Sequence, residues 1–216
     1  MPSSWKHALT KRLQKIAWIY LRDNFAVAAA GSCAAPEPSI PCRFVPLTLA
    51  NYFRVQEFRE EGRVAEYRAK IVHGEVGFFA EHDGKMVGSI WATLNTRQER
   101  RVVRMYMPLM PQEALIHDVV TAGSYRGRGV GPFMLSKLIS ALLGEYGASR
   151  VLVDVNVRNL ASLRMMEKAG LRAPERVFYL SLFGTLAFQK SVGTKASSAS
   201  VPRPGSAPAD GKERAR

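Results

Sequence analysis

A glycine-rich segment near the middle of the chain has the residue types and spacing of an anion-binding loop. Residues 119–132 read VVTAGSYRGRGVGP, which places Gly127, Gly129 and Gly131 within a short stretch. Glycine allows the turns that point consecutive backbone N–H groups in one direction, and a helix that begins here adds the partial positive charge of its N-terminus. The spacing G-x-G-x-G differs from the glycine patterns of dinucleotide loops and of P-loops. Taken alone, the loop is equally compatible with a tight turn that binds nothing.

A second informative segment lies farther along the chain. Asn159 and Ser162 open a short amphipathic stretch that ends in the run EKAGL at residues 167–171. Asparagine is a preferred helix N-cap, and Gly170 suits the position just past a helix end. A short helix is therefore predicted over 159–169.

Together, the two segments resemble the acyl-CoA site of the GNAT superfamily of N-acetyltransferases. The run Arg126-x-x-Gly129-x-Gly131 is similar to the family's R/Q-x-x-G-x-G/A pyrophosphate loop, and the second segment is similar to its N-x-x-[AS] helix ending in E-K-x-G-F. The resemblance implies acetyl-CoA as the acyl donor, with its pyrophosphate at 125–131 and its pantetheine arm beside 119–121. The cofactor-binding residues that it implies are Val119, Val120, Thr121, Tyr125, Arg126, Gly127, Arg128, Gly129, Val130, Gly131, Asn159 and Ser162. For Asn159, the local interpretation as a helix cap stays open.

Acyl transfer from a thioester to an amine needs a group that takes the amine proton, and His117 is the first candidate. An imidazole can accept a proton at neutral pH. In an extended strand, alternate residues share a face, which predicts His117 on the same side as Val119 and Thr121. Arylalkylamine members of the superfamily also carry a strand histidine at this spacing. A core histidine held by a hydrogen bond is the alternative, and Asp118, on the opposite face unless the strand is bulged there, is the second candidate.

One position departs from the family pattern. Many members place a tyrosine immediately before the E-K-x-G-F run, where its hydroxyl can protonate the leaving thiolate, but this chain has Met166. Methionine has no proton to donate. Tyr125 and Tyr179 could take the role, and the spacing selects neither.

The periodicity of apolar residues predicts a mixed α/β fold, with a central sheet flanked by helices in a single GNAT-like domain over residues 43–190. Predicted strands are 43–49, 77–81, 85–94, 114–122, 151–155, 177–182 and 185–189, and the turn His82-Asp83-Gly84 predicts a hairpin. Predicted helices are 51–72, interrupted near Gly62, then 132–146 and 159–169.

The two ends differ from this domain in composition. Residues 1–30 are predicted to contain an amphipathic helix, because Leu9, Leu13, Ile16 and Tyr20 stand at helical spacing among basic residues. Its apolar side could pack on the domain, on the second copy of a homodimer, or on an anionic membrane surface. Residues 31–42 are predicted to be a linker, and residues 191–216 a disordered basic tail.

The net charge of +13 in 216 residues does not require a nucleic-acid partner. Most of the excess lies in the two ends, and no helix-turn-helix, zinc-finger or RNA-binding pattern accompanies it. Cys33 and Cys42 lack the paired spacing of a metal or redox site, so no metal is expected and two reduced thiols in a cytoplasmic protein are predicted.

The sequence thus predicts an N-acetyltransferase that moves an acetyl group from acetyl-CoA to a primary amine of an unidentified acceptor by direct attack. Two alternatives stay open. One is a long-chain N-acyl amino acid or acyl-homoserine lactone type synthase that takes its acyl group from an acyl carrier protein, an acidic partner suited to a basic surface. The other is a non-catalytic CoA-binding or membrane-tethered interaction module, which the methionine at position 166 favours.

Overall fold

The fold is a mixed sheet with helices packed on both faces. The computed structural model describes residues 17–29, 31, 33, 37–104, 107–172, 174–183 and 185–194. The strands are β1 (Ala17–Val27), β2 (Arg43–Pro46), β3 (Val76–His82), β4 (Lys85–Leu94), β5 (Arg101–Arg104), β6 (Met107–Leu109), β7 (Glu113–Thr121), β8 (Arg150–Asn156), β9 (Glu175–Leu182) and β10 (Thr185–Thr194). The helices are a 3₁₀ helix (Tyr52–Glu57), α1 (Arg63–Val72), a 3₁₀ turn (Gly123–Tyr125), α2 (Val130–Gly144) and α3 (Leu160–Lys168).

Eight of the strands form one sheet in the order β10-β9-β1-β8-β7-β4-β3-β2, and β5 and β6 form a separate hairpin. Neighbouring strands in the large sheet are antiparallel, except that β7 and β8 are parallel. That parallel pair extends only from Glu113–Arg150 to Ile116–Val153. Within the described part of the chain, the remainder of β7 therefore has no strand beside it on this edge.

Each face of the sheet has its own apolar core. Helix α2 packs on one face through Met134, Leu138 and Leu142, which are fully buried. The opposite face is covered by the 3₁₀ helix and α1, where Tyr67 and Trp91 are also fully buried. Because β7 lies near the middle of the sheet, its residues face one of these two environments or the other.

The structure confirms most of the predicted elements between residues 43 and 190. The hairpin between β3 and β4 turns at Asp83 and Gly84, which both have positive φ values, of 48° and 75°. These values match the turn that an Asp-Gly pair favours. Asn159 caps α3 as predicted, because its side-chain oxygen accepts a hydrogen bond of 3.1 Å from the Ser162 N–H.

The predicted N-terminal helix is wrong where it can be compared with the structure. Residues 17–27 form β1, which lies inside the sheet between β8 and β9. Phe25 and Val27 are buried in the core that α2 covers. This segment forms a strand and not a helix because both of its edges make backbone hydrogen bonds to strands that are distant in the chain. Residues 1–16 of the predicted helix lie outside the described residues.

The predicted linker and tail boundaries also need correction. Cys33 is buried and donates a hydrogen bond to the Ala169 carbonyl, and Ile40 and Cys42 pack against the main core. The described parts of 31–42 therefore belong to the fold. β10 extends to Thr194, so the domain also continues four residues past its predicted end, and residues 195–216 lie outside the described part.

Candidate active site

The glycine-rich segment forms a loop between β7 and α2, as its sequence predicts. Gly127 and Gly129 have φ values of 79° and 84°, in the left-handed region that favours glycine. Gly129 is the N-cap of α2, so the free N–H groups of the first helical turn follow directly. The local geometry is that of an anion site at a helix N-terminus.

This loop borders a cavity of about 460 Å³. Its other walls are the end of β7 and one side of α3. Ten of the twelve predicted cofactor-binding residues line it: Val119, Val120, Thr121, Tyr125, Arg126, Gly127, Gly129, Val130, Gly131 and Ser162. The structure thus brings the two sequence segments together around a single space.

The other two predicted cofactor-binding residues lie elsewhere. The guanidinium of Arg128 lies over the Tyr125 ring, 5.6 Å from its centroid, and the Arg128 side chain does not line the cavity. Asn159 is the N-cap of α3 and is likewise outside the cavity lining. The observed contacts of Asn159 are therefore those of the local interpretation.

Helix α3 supplies cavity residues that the sequence reasoning missed. Arg164 and Lys168 line the cavity and, with Arg126, give it three cationic side chains. Ala161, Met165 and Lys168 are spaced by four and three residues, so they share one side of α3. This helical spacing can be read from the sequence and could have identified these three residues as part of the site. The cationic lining favours a ligand that carries several phosphates.

A segment that precedes β2 holds the outer side of the glycine-rich loop. The Ser39 N–H donates a 2.9 Å hydrogen bond to the Arg128 carbonyl. A Cβ atom added at Gly129 would come 3.0 Å from the Cα of Pro38. Pro38 and Ser39 thus pack against one side of the loop, and the other side of the loop faces the cavity.

Strand β7 contains a β-bulge where its residues begin to line the cavity. His117 pairs with Trp91 and Val120 with Ser89, so Asp118 and Val119 together oppose the single residue Ile90. Asp118 has a φ of 48°. The extra residue reverses the alternation of faces, as β-bulges do.

The bulge overturns the predicted face of His117. His117 shares a face with Trp91 and Val120, on the α1 side of the sheet, whereas Val119 lies on the α2 side. The prediction that His117 projects beside Val119 and Thr121 is therefore wrong. His117 still lies close to the cavity along the chain, because only Asp118 separates it from the lining residue Val119.

With the residues that the structure describes, His117 makes two polar contacts, both through one ring nitrogen. Its Nε2 lies 3.1 Å from the Thr93 Oγ1 and 3.2 Å from the Glu75 Oε2. The side chains of His117 and Glu75 are only 15% and 20% exposed. The imidazole is therefore held on the α1 side of the sheet, beside the point where β7 leaves β8.

Asp118 is bound by two cations. Its carboxylate accepts hydrogen bonds from the Lys70 Nζ at 2.6 Å and from the Arg59 guanidinium at 3.1 Å. Burial alone would raise the pKa of Asp118, but the hydrogen bond and charge of Lys70 and the charge of Arg59 outweigh it, so the pKa lies below its ordinary value. A carboxylate held in its ionised form by two cations is a weak proton acceptor.

The tyrosines that could replace the missing general acid differ in position. Met166 is buried in the core, and Tyr125 lines the cavity. Tyr179 is buried on β9, accepts a hydrogen bond from Asn24 and does not line the cavity. Of the two, Tyr125 is therefore the one near the candidate site.

The part of the chain that the structure describes contains neither a metal-binding cluster nor a membrane-spanning helix. Among them, no group of three or more histidine, cysteine and acidic side chains is placed to hold a metal ion. Within the same residues, no helix is long and apolar enough to cross a membrane.

Comparisons with known protein sequences identify relatives. A profile described as the acetyltransferase (GNAT) family matches residues 45–171. N-alpha-acetyltransferase MAK3 of Arabidopsis thaliana is 27% identical over 135 residues, which are 62% of this chain and 65% of that protein. The alignment thus spans just under two thirds of the curated relative.

Solved structures resemble the fold. An acetyltransferase from the GNAT family of Colwellia psychrerythraea matches 82% of this chain and 60% of its own, with a TM-score of 0.53 and 14% identity. A GCN5-related N-acetyltransferase from Sphaerobacter thermophilus matches 83% of this chain and 57% of its own, with a TM-score of 0.50 and 16% identity. At these identities, the likeness concerns the fold.

Proposed function

Because the chain belongs to the acetyltransferase (GNAT) family, we propose that it transfers an acetyl group from acetyl-CoA to a primary amine by direct attack. Membership of the family confirms the resemblance found in the two sequence motifs. One observation carries the proposed activity: the lining of the cationic cavity includes Val119, in the bulge that places His117 on the opposite face of the sheet from Val119. A donor bound in the cavity and an amine arriving from the α1 side would meet at this point.

The cavity residues fit acetyl-CoA. The loop N–H groups and three cationic side chains suit a pyrophosphate, and the unpaired edge of β7 offers backbone groups to an amide-containing arm such as pantetheine. The close packing of the loop against α3 requires glycine at position 131, because a Cβ atom there would come 2.9 Å from the Met165 Sδ. When bound, acetyl-CoA supplies the acetyl thioester from which the C–S bond breaks as the new C–N bond forms.

In this proposal, His117 takes the proton that the attacking amine loses. The electron pair of the C–S bond leaves on sulfur, and one proton from Tyr125 or from solvent converts the thiolate to the thiol. Asp118 is the weaker candidate for the base, because Lys70 and Arg59 already hold its carboxylate. We assign Asp118 instead to fixing the bulge beside His117.

The acceptor class to test first is an α-amine at the N-terminus of a peptide. The support is the alignment with a relative, the N-alpha-acetyltransferase MAK3. An acyl-carrier-protein donor and a non-catalytic CoA-binding or membrane-tethered module remain the competing proposals. A cytoplasmic location is consistent with Cys33 and Cys42, which are both free thiols.

The test is a matrix of donors and acceptors with thiol release and product mass as readouts. The donors are acetyl-CoA, octanoyl-CoA and an octanoyl acyl carrier protein, and the acceptors are short peptides with free or blocked α-amines and a set of small amines. We expect acetyl-CoA with a free amine to give the fastest turnover. Transfer only from the carrier protein would support the synthase, and binding of acetyl-CoA without transfer to any acceptor would support the non-catalytic module.

A further inference from the structure

We propose that Glu75 is a positioning residue that fixes the tautomer of His117, so that Nδ1 is the nitrogen that accepts the substrate proton. Glu75 lies in the turn between α1 and β3, and its own N–H is bonded to the Lys70 carbonyl at the end of α1. This inference rests on the proposed role of His117 as the base.

The tautomer follows from what surrounds Nε2. The Glu75 Oε2 lies 3.2 Å from this nitrogen and the Thr93 Oγ1 lies 3.1 Å from it. A carboxylate can only accept a hydrogen bond, whereas the threonine hydroxyl can donate or accept. The contact with Glu75 is one of distance and not a hydrogen bond, but an unprotonated Nε2 would hold its partial negative charge 3.2 Å from the carboxylate oxygen, where the two repel. A proton on Nε2 replaces that repulsion by attraction, and the lone pair of the neutral ring is then on Nδ1.

Because the Glu75 carboxylate is partly buried, its charge interacts strongly with the His117 ring. The Glu75 Oε2 is buried, and among the described residues it has no hydrogen bond of good geometry. A buried carboxylate oxygen without full compensation is unfavourable. When Nδ1 takes up a proton, the ring becomes a cation 3.2 Å from this oxygen. Glu75 therefore stabilises the state that exists after the amine has lost its proton.

The other charged groups near His117 do not supply this stabilisation. Asp118 follows His117 in the chain, but its carboxylate accepts from Lys70 of α1 and from Arg59. On β4, Thr93 is neutral. Glu75 is thus the carboxylate that contacts the imidazole directly.

The experiment observes the ring nitrogens of His117 by NMR of protein labelled with ¹⁵N-histidine. The chain has four histidines, and the variant His117→Gln identifies the signal. We expect the wild type above neutral pH to carry its proton on Nε2, and Glu75→Gln to show a mixture of both tautomers. The matched control is Glu61→Gln, which removes the same charge from an exposed position at the other end of α1 and should leave the spectrum unchanged.

Kinetics supply the second readout. Glu75→Gln should lower turnover about tenfold and leave the KM for acetyl-CoA unchanged, because the imidazolium loses its partner. A proton on Nδ1 in a wild type whose activity depends on His117 would overturn this inference alone. An unchanged spectrum together with unchanged turnover in Glu75→Gln would also overturn it alone, whereas full activity of His117→Ala would overturn it together with the proposed base.

Discussion

At the scale of single residues, the side of the sheet on which His117 lies determines which substrate it can meet. Its pairing with Trp91 places it on the α1 side, while the cavity lining includes Val119 on the α2 side and Val120 on the α1 side. In the proposed reaction, a donor in the cavity would reach the end of β7 close to His117, and the acceptor would arrive from the α1 side. This arrangement suits a ternary complex, because the acceptor need not pass through the donor's cavity.

We expect His117→Ala to lower turnover by at least about a hundredfold, the smaller of the usual effects of losing a general base. Acetyl-CoA affinity should barely change, and the variant should lose the rise of turnover with pH that an imidazole base produces in the wild type. Steady-state kinetics over about pH 5–9, the range in which histidine ordinarily changes charge, measure the turnover and its dependence on pH. The control is His73→Ala, an exposed histidine at the end of α1. Near-normal turnover with an unaltered pH profile would reduce His117 to a structural strand residue.

The residue types of the site could be predicted from the sequence, but the face of His117 could not. Glycine spacing identified the loop because glycine is required wherever φ is positive, as at Gly127 and Gly129. Asp118 also has a positive φ, but aspartate, unlike glycine, is not restricted to such positions, so its residue type alone did not establish the bulge. Strand alternation then assigned His117 to the wrong side. Glu75 was missed because its contact with His117 depends on folding of the intervening strands.

At the scale of elements, Asp118 connects β7 to the helix that covers it. Its contacts with Lys70 on α1 and with Arg59, before α1, join the bulged strand to α1 and to the segment that precedes it. Because the pKa of Asp118 is lowered in the folded protein, its carboxylate stabilises the fold above its unfolded pKa. That stabilisation is lost as the pH falls through the folded pKa.

We therefore expect Asp118→Asn to lower the free energy of unfolding by about 1–3 kcal/mol at pH 7, the usual range for a buried polar group that loses its partner. Asparagine tolerates the positive φ at this position, so the backbone should be kept. The difference from the wild type should shrink as the pH falls through the folded pKa of Asp118, because the protonated carboxyl group is then neutral like the asparagine side chain. Urea unfolding at pH 7 and over a series of acidic pH values measures it. The matched control is Asp83→Asn, which has the same φ of 48° and a side chain that is 83% exposed; an equal effect in both variants would contradict the assignment.

Elements with strong local signals were predicted, and those stabilised by distant partners were not. The β3–β4 hairpin carries its own turn residues, and α2 has a broad apolar face. The first part of β1 was predicted to be helical because Tyr20 continues a helical spacing begun before it by Leu9, Leu13 and Ile16. Its pairing with β8 and β9 joins segments far apart in the chain, which periodicity cannot reveal.

At the scale of the whole molecule, the N-terminal strand is part of the sheet that holds the site. β1 lies between β8 and β9, so without it β9 and β10 would lose their connection to the rest of the sheet, and β8 would keep only β7 as a neighbour. The position of β8 matters for the site, because its divergence from β7 leaves the strand edge beside the cavity unpaired.

A variant lacking residues 1–27 should therefore lose cooperative thermal unfolding and acetyl-CoA binding together. Phe25 and Val27 leave the core in that variant, and two strands lose their hydrogen-bonding neighbour. A variant lacking residues 195–216 is the comparison, because it removes no strand and no cavity residue described here. Circular dichroism melting measures both. A wild-type Tm in the variant without 1–27 would show that the strand is dispensable.

The claim on which the whole account depends is that the cavity beside the glycine-rich loop binds acetyl-CoA. The substitution that tests it is Gly131→Leu, because a side chain there would meet the Met165 Sδ at 2.9 Å and the Thr121 Oγ1 at 3.7 Å, at the cavity wall. Gly144→Leu is the matched control on the same helix, where a Cβ atom would have no neighbour within 4 Å.

The measurement is calorimetric titration of acetyl-CoA into the wild type and the two variants, each checked for folding by circular dichroism. We predict saturable binding by the wild type and by Gly144→Leu, and affinity weaker by at least about tenfold, or 1.4 kcal/mol, in Gly131→Leu. Wild-type affinity in a folded Gly131→Leu protein would contradict the assignment of the cavity, and with it the proposed acetyl transfer at this site.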